Sequence, residues 1–398
     1  MASRVLFLMD AFSSDYLSEE NTPFLFDCSK KGEYTKKIVT GFGFCERAEI
    51  FTGISSLESN YISAIGFNPS KSPYKNITFL LKLLDFFDKK IPVAIFRKIL
   101  RRLLALLIYS FKHPLNPYQI PYQMLKYFSL TEDYFDSSVP NFLNNESIFD
   151  IAKSNSKNIY EDSFTGLNKK NNGTDDDRLN LVLKNLSEDY SLYLVYISKM
   201  DSSGHKYGPN SNEVKKSLRI LDKKLEKFVS NFEEVQPGST YVFLGDHGMT
   251  SIKERVDIRD VFFKMDKSIM TSVNNDYIYF LDSTMLRVWV LNDKYKKEIE
   301  QYLMSHTKLV DKGIFYSKYF KRKPPLSLGD IVWCANSGVL ISPDFFHNES
   351  DNLKGMHGYL EPKEGGFGTC IKYGSVEPKV FEERHLHSVF DDIVDSVR

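Results

Sequence analysis

Three aspartates and three histidines of this chain stand where side chains of those types can converge on a cation. YVFLGDHGMTS, residues 241–251, ends an apolar run on Asp246 and His247, between Gly245 and Gly248. VLFLM, residues 5–9, runs into Asp10. LYLVYI, residues 192–197, leads into SKMDSSGHKYGP, which carries Asp201 and, four residues on, His205. GMHGY, residues 355–359, sets His357 between Gly355 and Gly358. The chain has only eight histidines, so three in such settings carry weight. A lone Asp-His pair between glycines reads equally well as a turn, with Asp246 capping the next element. The ensemble of six is the stronger signal. Mixed carboxylate and imidazole donors suit zinc first, and manganese or iron after it. Six donors suffice for two ions, and two adjacent dications activate a nucleophile and stabilise both the attacking and leaving oxygens of a phosphoryl group.

The elements that must position these residues are legible too. VLFLM, LYLVYI and YVFLG are short, near-continuous apolar runs, the pattern of strands covered on both faces. Helical periodicity lies between them. In NEVKKSLRILDKKLEKFVSNF, residues 212–232, Val214, Leu218, Leu221, Leu225 and Val229 recur every three or four positions. The alternation predicts an α/β fold with a mostly parallel central sheet flanked by helices. In such sheets ligands collect at the carboxyl ends of strands, which is where Asp10, Asp201 and Asp246 fall. Residues 68–185 interrupt the pattern with a helical stretch and Asn/Ser/Asp-rich connections. Residues 255–350 hold two strand candidates, DYIYFLDS (276–283) and RVWVLN (287–292), then a charged helix, KYKKEIEQYLMSH (294–306). The expected organisation is a core of 1–254 and 351–398, containing the insertion at about 68–185, with 255–350 as a small α+β cap.

DSSGHKYGP, GDHGMT and MHGY, after an early strand ending in Asp10, resemble the alkaline phosphatase superfamily, nearest its nucleotide pyrophosphatase/phosphodiesterase branch. The resemblance runs along the chain in order and diverges in the two insertions. It implies two zinc sites. Asp201, His205 and His357 match the ligands of one ion; Asp10, Asp246 and His247 match those of the other, whose remaining ligand is normally the nucleophile. It also implies cleavage of a phosphodiester or pyrophosphate, with transfer of a substituted phosphate to a sugar or lipid acceptor as the alternative. A metal-binding pseudoenzyme is a third reading, opposed by the intact ligand set.

The pattern breaks at the nucleophile. The family places it nine positions before a TG dipeptide, here Thr52-Gly53 in TGFGFCERAEIFTGISSLES, residues 40–59. That count lands on Gly43, which has no side chain to attack with. Arg47 falls where sulfatases carry the Arg of C-x-P-x-R, but Gly43 replaces their modified Cys. Three readings stay open. Cys45 supplies a thiolate, stabilised near a helix start and a metal; Thr40 reaches in; or water or an acceptor hydroxyl attacks directly. Cys45 reads equally as a small buried residue, and Thr52 as structural. Glu46 is a candidate base or a partner for Arg47, and Arg47 a bidentate phosphate clamp or a solvated surface residue. His385 and His387 read as structural; His113, His306 and His347 have no evident partners.

Composition bounds the rest. With 398 residues and 42% hydrophobic content the chain can bury a large core. Its 52 basic residues balance 52 acidic ones, which gives no general affinity for nucleic acid. Cys28, Cys45, Cys334 and Cys370 show neither disulfide-scaffold density nor CxxC spacing, and the N-terminus reads as a strand, not a signal peptide. Both point to the cytoplasm. IPVAIFRKILRRLLALLIYSF, residues 91–111, places Arg97, Lys98, Arg101 and Arg102 on one helical face with Ile95, Ile99, Leu103, Leu106 and Leu107 around them. It is too short an apolar run to span a bilayer, which takes about 20 residues. It reads as a core-packed helix with a basic edge, or as an interfacial helix bringing the protein to a lipid-linked substrate.

Overall fold

The computed structural model describes residues 3–91, 93–109, 115–131, 145–162, 173–186, 189–347, 351–363 and 365–398. His113 and parts of the 68–185 and 91–111 segments lie outside them. By internal contacts the chain forms two units: Met1–Ile62, Tyr134–Ile252 and Asn352–Arg398 make the first, Ser63–Asp133 and Lys253–Asp351 the second.

The first unit is built on a seven-stranded sheet. Its strands take the order Lys379–His385, Glu33–Val39, Gly368–Tyr373, Thr240–Gly245, Arg4–Met9, Leu192–Ile197, Ile159–Tyr160. Four of the six pairings are parallel, and Gly368–Tyr373 alone runs against its two neighbours. Arg4–Met9 is central: Leu8 pairs with Leu244 on one side and Met9 with Ile197 on the other. Strand side chains alternate between faces, and here both faces are dry. Val5, Phe7 and Met9 join Tyr193, Val195 and Phe243 in one apolar layer, packed by Val214, Leu218, Leu225 and Phe232 of helix Asn212–Val235. Leu6 and Leu8 join Leu194, Val242 and Leu244 in the other, against Ala48, Phe51 and Ile393. Burial on both sides explains why these strands read as unbroken apolar runs. Each such side chain contributes about 1.5–3 kcal/mol of transfer free energy, and Ser211 caps the long helix by accepting from the Val214 amide.

The second unit has its own four-stranded antiparallel sheet, in the order Tyr277–Leu281, Met285–Val290, Ile331–Ala335, Gly313–Phe315. Both strand candidates of the expected cap are strands of this sheet, and its charged helix spans Lys296–Ser305. The domain boundaries differ from the expectation, because the described residues between 63 and 131 group with this sheet. Ile65–Phe67 pairs with Phe128–Leu130. Phe128 meets Phe280 and Trp289 edge-on, and buried Arg287 donates to the Ile65 carbonyl at 2.7 Å. Long-range aromatic contacts of this kind leave no periodic trace in the segment itself.

The amphipathic segment forms helix Ala94–Ile108, preceded by helix Thr78–Lys90. Its four cations lie on one side of the helix, but two of them are engaged by partners. Arg97 Nε donates to Asp88 at 2.7 Å, and Arg101 Nη1 is turned onto the carbonyls of Pro117, Tyr118 and Ile120. Lys98 and Arg102 are exposed.

Candidate metal centre

Parallel register brings three strand ends to one edge. Asp10 comes directly after Met9 and donates its amide to the Ile197 carbonyl at 2.9 Å. Asp246 and His247 come directly after Gly245 on the neighbouring strand. Beyond Ile197 the chain turns into helix Lys199–Tyr207, where the i,i+4 spacing sets Asp201 and His205 on one face. His357 arrives just after Gly355–Met356, which pairs with Thr250–Ser251 directly beyond the Asp246-His247 corner. No Cβ fits at Gly245, where it would stand 1.8 Å from the Phe12 carbonyl oxygen. The loop that follows the first strand therefore packs its Phe12 carbonyl against position 245 only because that residue is glycine.

All six predicted ligands converge. Donor atoms of Asp201, His205 and His357 lie within 4.8 Å of one another, as do those of Asp10, Asp246 and His247. With metal–donor bonds near 2.0–2.2 Å in a tetrahedral site, donors to one ion stand about 3.3–3.6 Å apart, so each trio would have to draw together by about an ångström to close on a dication. A third trio, Glu46, His247 and His357, links the first two. The rings of His247 and His357 are stacked at 3.9 Å between centroids and 10° between planes. His247 Nδ1 lies 2.9 Å from the Gly248 carbonyl, the separation of a donated N–H, which leaves Nε2 facing Asp10 Oδ1 at 3.3 Å. His205 likewise uses Nδ1 on the Gly355 carbonyl at 2.9 Å and aims Nε2 at Asp201 Oδ1, 3.0 Å away. Backbone carbonyls that fix the tautomer and turn the other nitrogen toward the carboxylates are the usual outer support of a metal histidine. Asp201 Oδ1 is buried without a hydrogen bond of good geometry, the condition of a carboxylate oxygen shaped for a cation.

The electrostatics agree. Burial alone would raise Asp10, but the hydrogen bond and charge of His247 and the hydroxyl of Tyr196 hold it below the usual carboxylate range. Burial raises Asp246, with the charge of Asp10 acting in the same direction. Burial disfavours a charged His247, yet Asp246 and Asp10 outweigh it and raise the ring well above its ordinary value. His205 is raised in the same way by Asp201. These carboxylates demand positive charge, and protons on the imidazoles answer it where a dication would.

Tyr196 is a site residue that sequence pattern does not single out. Its hydroxyl donates to Asp10 Oδ2, and the guanidinium groups of Arg47 and Arg178 each stand over its ring, 5.4 Å from the centroid. The available signal is a tyrosine one residue short of the end of LYLVYI, where an apolar ring carries a polar tip.

The candidate catalytic residues cluster at one helix start. Glu46 opens helix Glu46–Thr52, with Cys45 at its N-cap and Arg47 beside Tyr196. Cys45 is buried in the apolar layer with Leu8, Ala48 and Phe51. Thr40 donates its hydroxyl to the Asp246 backbone carbonyl, and Thr52 donates to the Ala48 carbonyl at 2.6 Å. Gly43 has φ +114, and a Cβ there would stand 1.8 Å from the Ile62 carbonyl oxygen. Buried Glu49 holds the loop from below, accepting from the amides of Gly41 at 3.2 Å and Ser56 at 2.6 Å. His385 and His387 stack on each other, 5.4 Å apart, and join none of the three donor groups.

Residues 123–360, more than half of the chain and including five of the six candidate ligands, match the family model described as type I phosphodiesterase / nucleotide pyrophosphatase. The chain belongs to that family. Its fold is alkaline phosphatase-like. Murine ectonucleotide pyrophosphatase/phosphodiesterase 5, solved as an inactive variant with AMP, superposes with a TM-score of 0.69 at 14% identity, covering 100% of this chain and 95% of that one. The human protein of the same name gives 0.68 at 15% identity. Among curated relatives of this phosphodiesterase-family chain, ectonucleotide pyrophosphatase/phosphodiesterase family member 7 of Mus musculus is 32% identical over 72 residues, 18% of this chain and 16% of the relative. GPI ethanolamine phosphate transferase 1 of Candida glabrata is 29% identical over 90 residues, 22% of this chain and 9% of the relative. These matches span less than a quarter of each relative's length.

Proposed function

We propose that this chain is a metal-dependent hydrolase that cleaves a phosphodiester or pyrophosphate at a site holding two divalent ions, zinc before manganese. The observation that carries the reading is the meeting of two Asp/His trios through the stacked rings of His247 and His357. Asp201, His205 and His357 would hold one ion, and Asp10, Asp246 and His247 the other. When bound, the ions supply Lewis acidity and lower the pKa of an attacking hydroxyl. The chain's own side chains do the remainder. Tyr196 fixes the orientation of Asp10. Arg47 takes a non-bridging phosphate oxygen. Glu46, at the junction of the two trios, occupies the role left vacant by Gly43 as ligand and as acceptor of the attacking group's proton. Attack is direct, by water or an alcohol, because the position expected of the nucleophile admits no side chain and Cys45 belongs to the apolar layer. A nucleotide-type ester is the substrate favoured by the AMP held by the murine neighbour.

A second reading, transfer of a substituted phosphate to a sugar or lipid-linked acceptor, is supported by the match to an ethanolamine phosphate transferase and by the exposed apolar face of helix Ala94–Ile108. The four cysteines are all buried and unbridged, which supports a cytoplasmic setting; recovery of the protein outside the cell in fractionation would oppose it.

The test is metal content by mass spectrometry together with turnover of bis-p-nitrophenyl phosphate. Asp246→Asn and His357→Ala should each lower metal occupancy and abolish turnover while the protein stays folded. Full activity in both variants refutes the metal assignment. Turnover only with an added alcohol selects transfer over hydrolysis, and tight metal binding without turnover of any ester leaves a binding protein.

A further inference from the structure

Of 22 exposed large apolar side chains among the described residues, 12 fall between Phe79 and Tyr109. That concentration sets helices Thr78–Lys90 and Ala94–Ile108 apart from an ordinary protein surface, where apolar side chains are scattered singly. On the second helix Ile95, Ile99, Leu103 and Leu107 recur at four-residue spacing with Leu106 beside them, and all five are between 49% and 68% exposed. Such spacing makes one continuous stripe. Lys98 and Arg102 each precede a stripe residue by one position, so they line the same edge of it. Phe79, Leu83 and Phe86 extend exposed apolar surface onto the first helix.

The charges are sorted with respect to this face. The sequence AIFRKILRRLLALLI, residues 94–108, contains no acid at all. The two acids of the first helix are turned in: Asp85 is held by Lys89 at 2.8 Å and Gln123 at 2.5 Å, and Asp88 by Arg97. Their side chains are only 15% and 19% exposed. Arg101 is spent on backbone carbonyls. The outward surface of the second helix is aliphatic and bordered by cations, and the helix itself carries no carboxylate to compensate them.

We infer that helices Thr78–Lys90 and Ala94–Ile108 dock in the plane of an anionic lipid bilayer, with Ile95, Ile99, Leu103, Leu106 and Leu107 in the acyl boundary and Lys98 and Arg102 on the headgroups. Among the described residues no helix is long and apolar enough to cross a membrane. The second helix has 15 residues, a length of about 22 Å against a hydrocarbon core of about 30 Å. It lies on the surface instead. A second copy is the poorer occupant, because self-pairing of this helix would set cations against cations with no acid to answer them. The inference stands on the second unit alone and does not depend on the reaction proposed for the first.

The experiment is flotation of the purified full chain with vesicles of phosphatidylcholine alone and of phosphatidylcholine mixed with phosphatidylglycerol. Binding is expected to the anionic vesicles, weakening as salt rises. Lys98→Gln with Arg102→Gln should lower the partition coefficient about 30-fold, on the order of five-fold per cation. Ile99→Glu with Leu103→Glu should abolish binding, and a solvatochromic dye on Leu106→Cys should shift to the blue when vesicles are added. Val380→Glu, at an exposed position on the sheet of the first unit, should bind as the unmodified protein does. Circular dichroism establishes that each variant is folded. The inference is overturned if the unmodified chain ignores anionic vesicles, if it binds neutral ones equally, or if the two paired variants bind like it. It is also overturned if light scattering finds a dimer that Leu103→Glu dissociates, which would give the face to a second copy.

Discussion

Restoring a hydroxyl at position 43 should fail to create a nucleophile, and the structure says by how much it should hurt. Gly43 sits at φ +114, a conformation that costs a residue bearing a Cβ about 1–3 kcal/mol. A Cβ would also stand 1.8 Å from the Ile62 carbonyl oxygen and 2.7 Å from Ile62 Cγ2. Relief requires the loop to move by more than an ångström. That shift first breaks the hydrogen bond that the Phe44 amide donates to the same carbonyl at 2.8 Å. A hydrogen bond of this kind contributes about 1 kcal/mol. Gly43→Thr should therefore destabilise the first unit by about 2–4 kcal/mol, with Gly43→Ala close behind. Equilibrium urea denaturation monitored by far-ultraviolet circular dichroism measures the loss. Turnover should fall too, because the loop carries Glu46 and Arg47 into the site. Stability within about 0.5 kcal/mol of the unmodified chain, the range of a surface substitution, would refute the steric reasoning. So would a phosphate trapped on the side chain introduced at position 43.

Tyr196→Phe removes the hydroxyl that holds Asp10; zinc affinity by competition titration should drop roughly 10–100-fold with the fold intact, and unchanged affinity would remove Tyr196 from the site. Cys45→Ala should keep its turnover and lose about 1 kcal/mol of stability as a truncated core residue; loss of all turnover in a folded protein, or a phosphorylated cysteine, would reinstate the thiolate. In the second unit burial, only partly offset by the opposing charge of Arg287, leaves the Asp282 carboxyl raised to about 6. Its folded value lies above its unfolded one, so the native state holds an extra proton between about pH 4 and 6 and loses stability as pH rises through that window. Asp282→Asn should flatten that part of the stability profile, and an unchanged slope would show that the proton resides elsewhere.

The sheet and the six donors were legible because each obeys a local rule. VLFLM, LYLVYI and YVFLG are unbroken since both faces are covered, and a parallel sheet gathers the residues just past its strand ends at one edge. The helix start was harder to read. Counting back from Thr52-Gly53 identifies Gly43 as an anomaly, but not that Glu46 sits at the junction of the trios, because helix phase and loop path decide which of three neighbouring side chains points inward. Tyr196 was invisible for a similar reason: a tyrosine in a buried strand shows its role only through the partner its hydroxyl finds. The allegiance of the described residues between 63 and 131 depends on Phe128 and Ile65 meeting side chains more than 140 positions away. Arg97 and Arg101 share a helix with Lys98 and Arg102, yet Asp88 engages the first and the carbonyls of Pro117, Tyr118 and Ile120 the second, which periodicity does not reveal.

The earliest-made strand of the large sheet, Arg4–Met9, occupies an interior place in the finished fold, between Leu192–Ile197 and Thr240–Gly245. It cannot be seated until both neighbours have left the ribosome, and His357 emerges later still. Closing such distant pairings is slow, so the nascent chain must keep one very greasy strand sheltered until residue 245 has been added. A shortened product ending before residue 240 would expose that strand without a partner on one edge, inviting aggregation, and would lack Asp246, His247 and His357 of the proposed metal site.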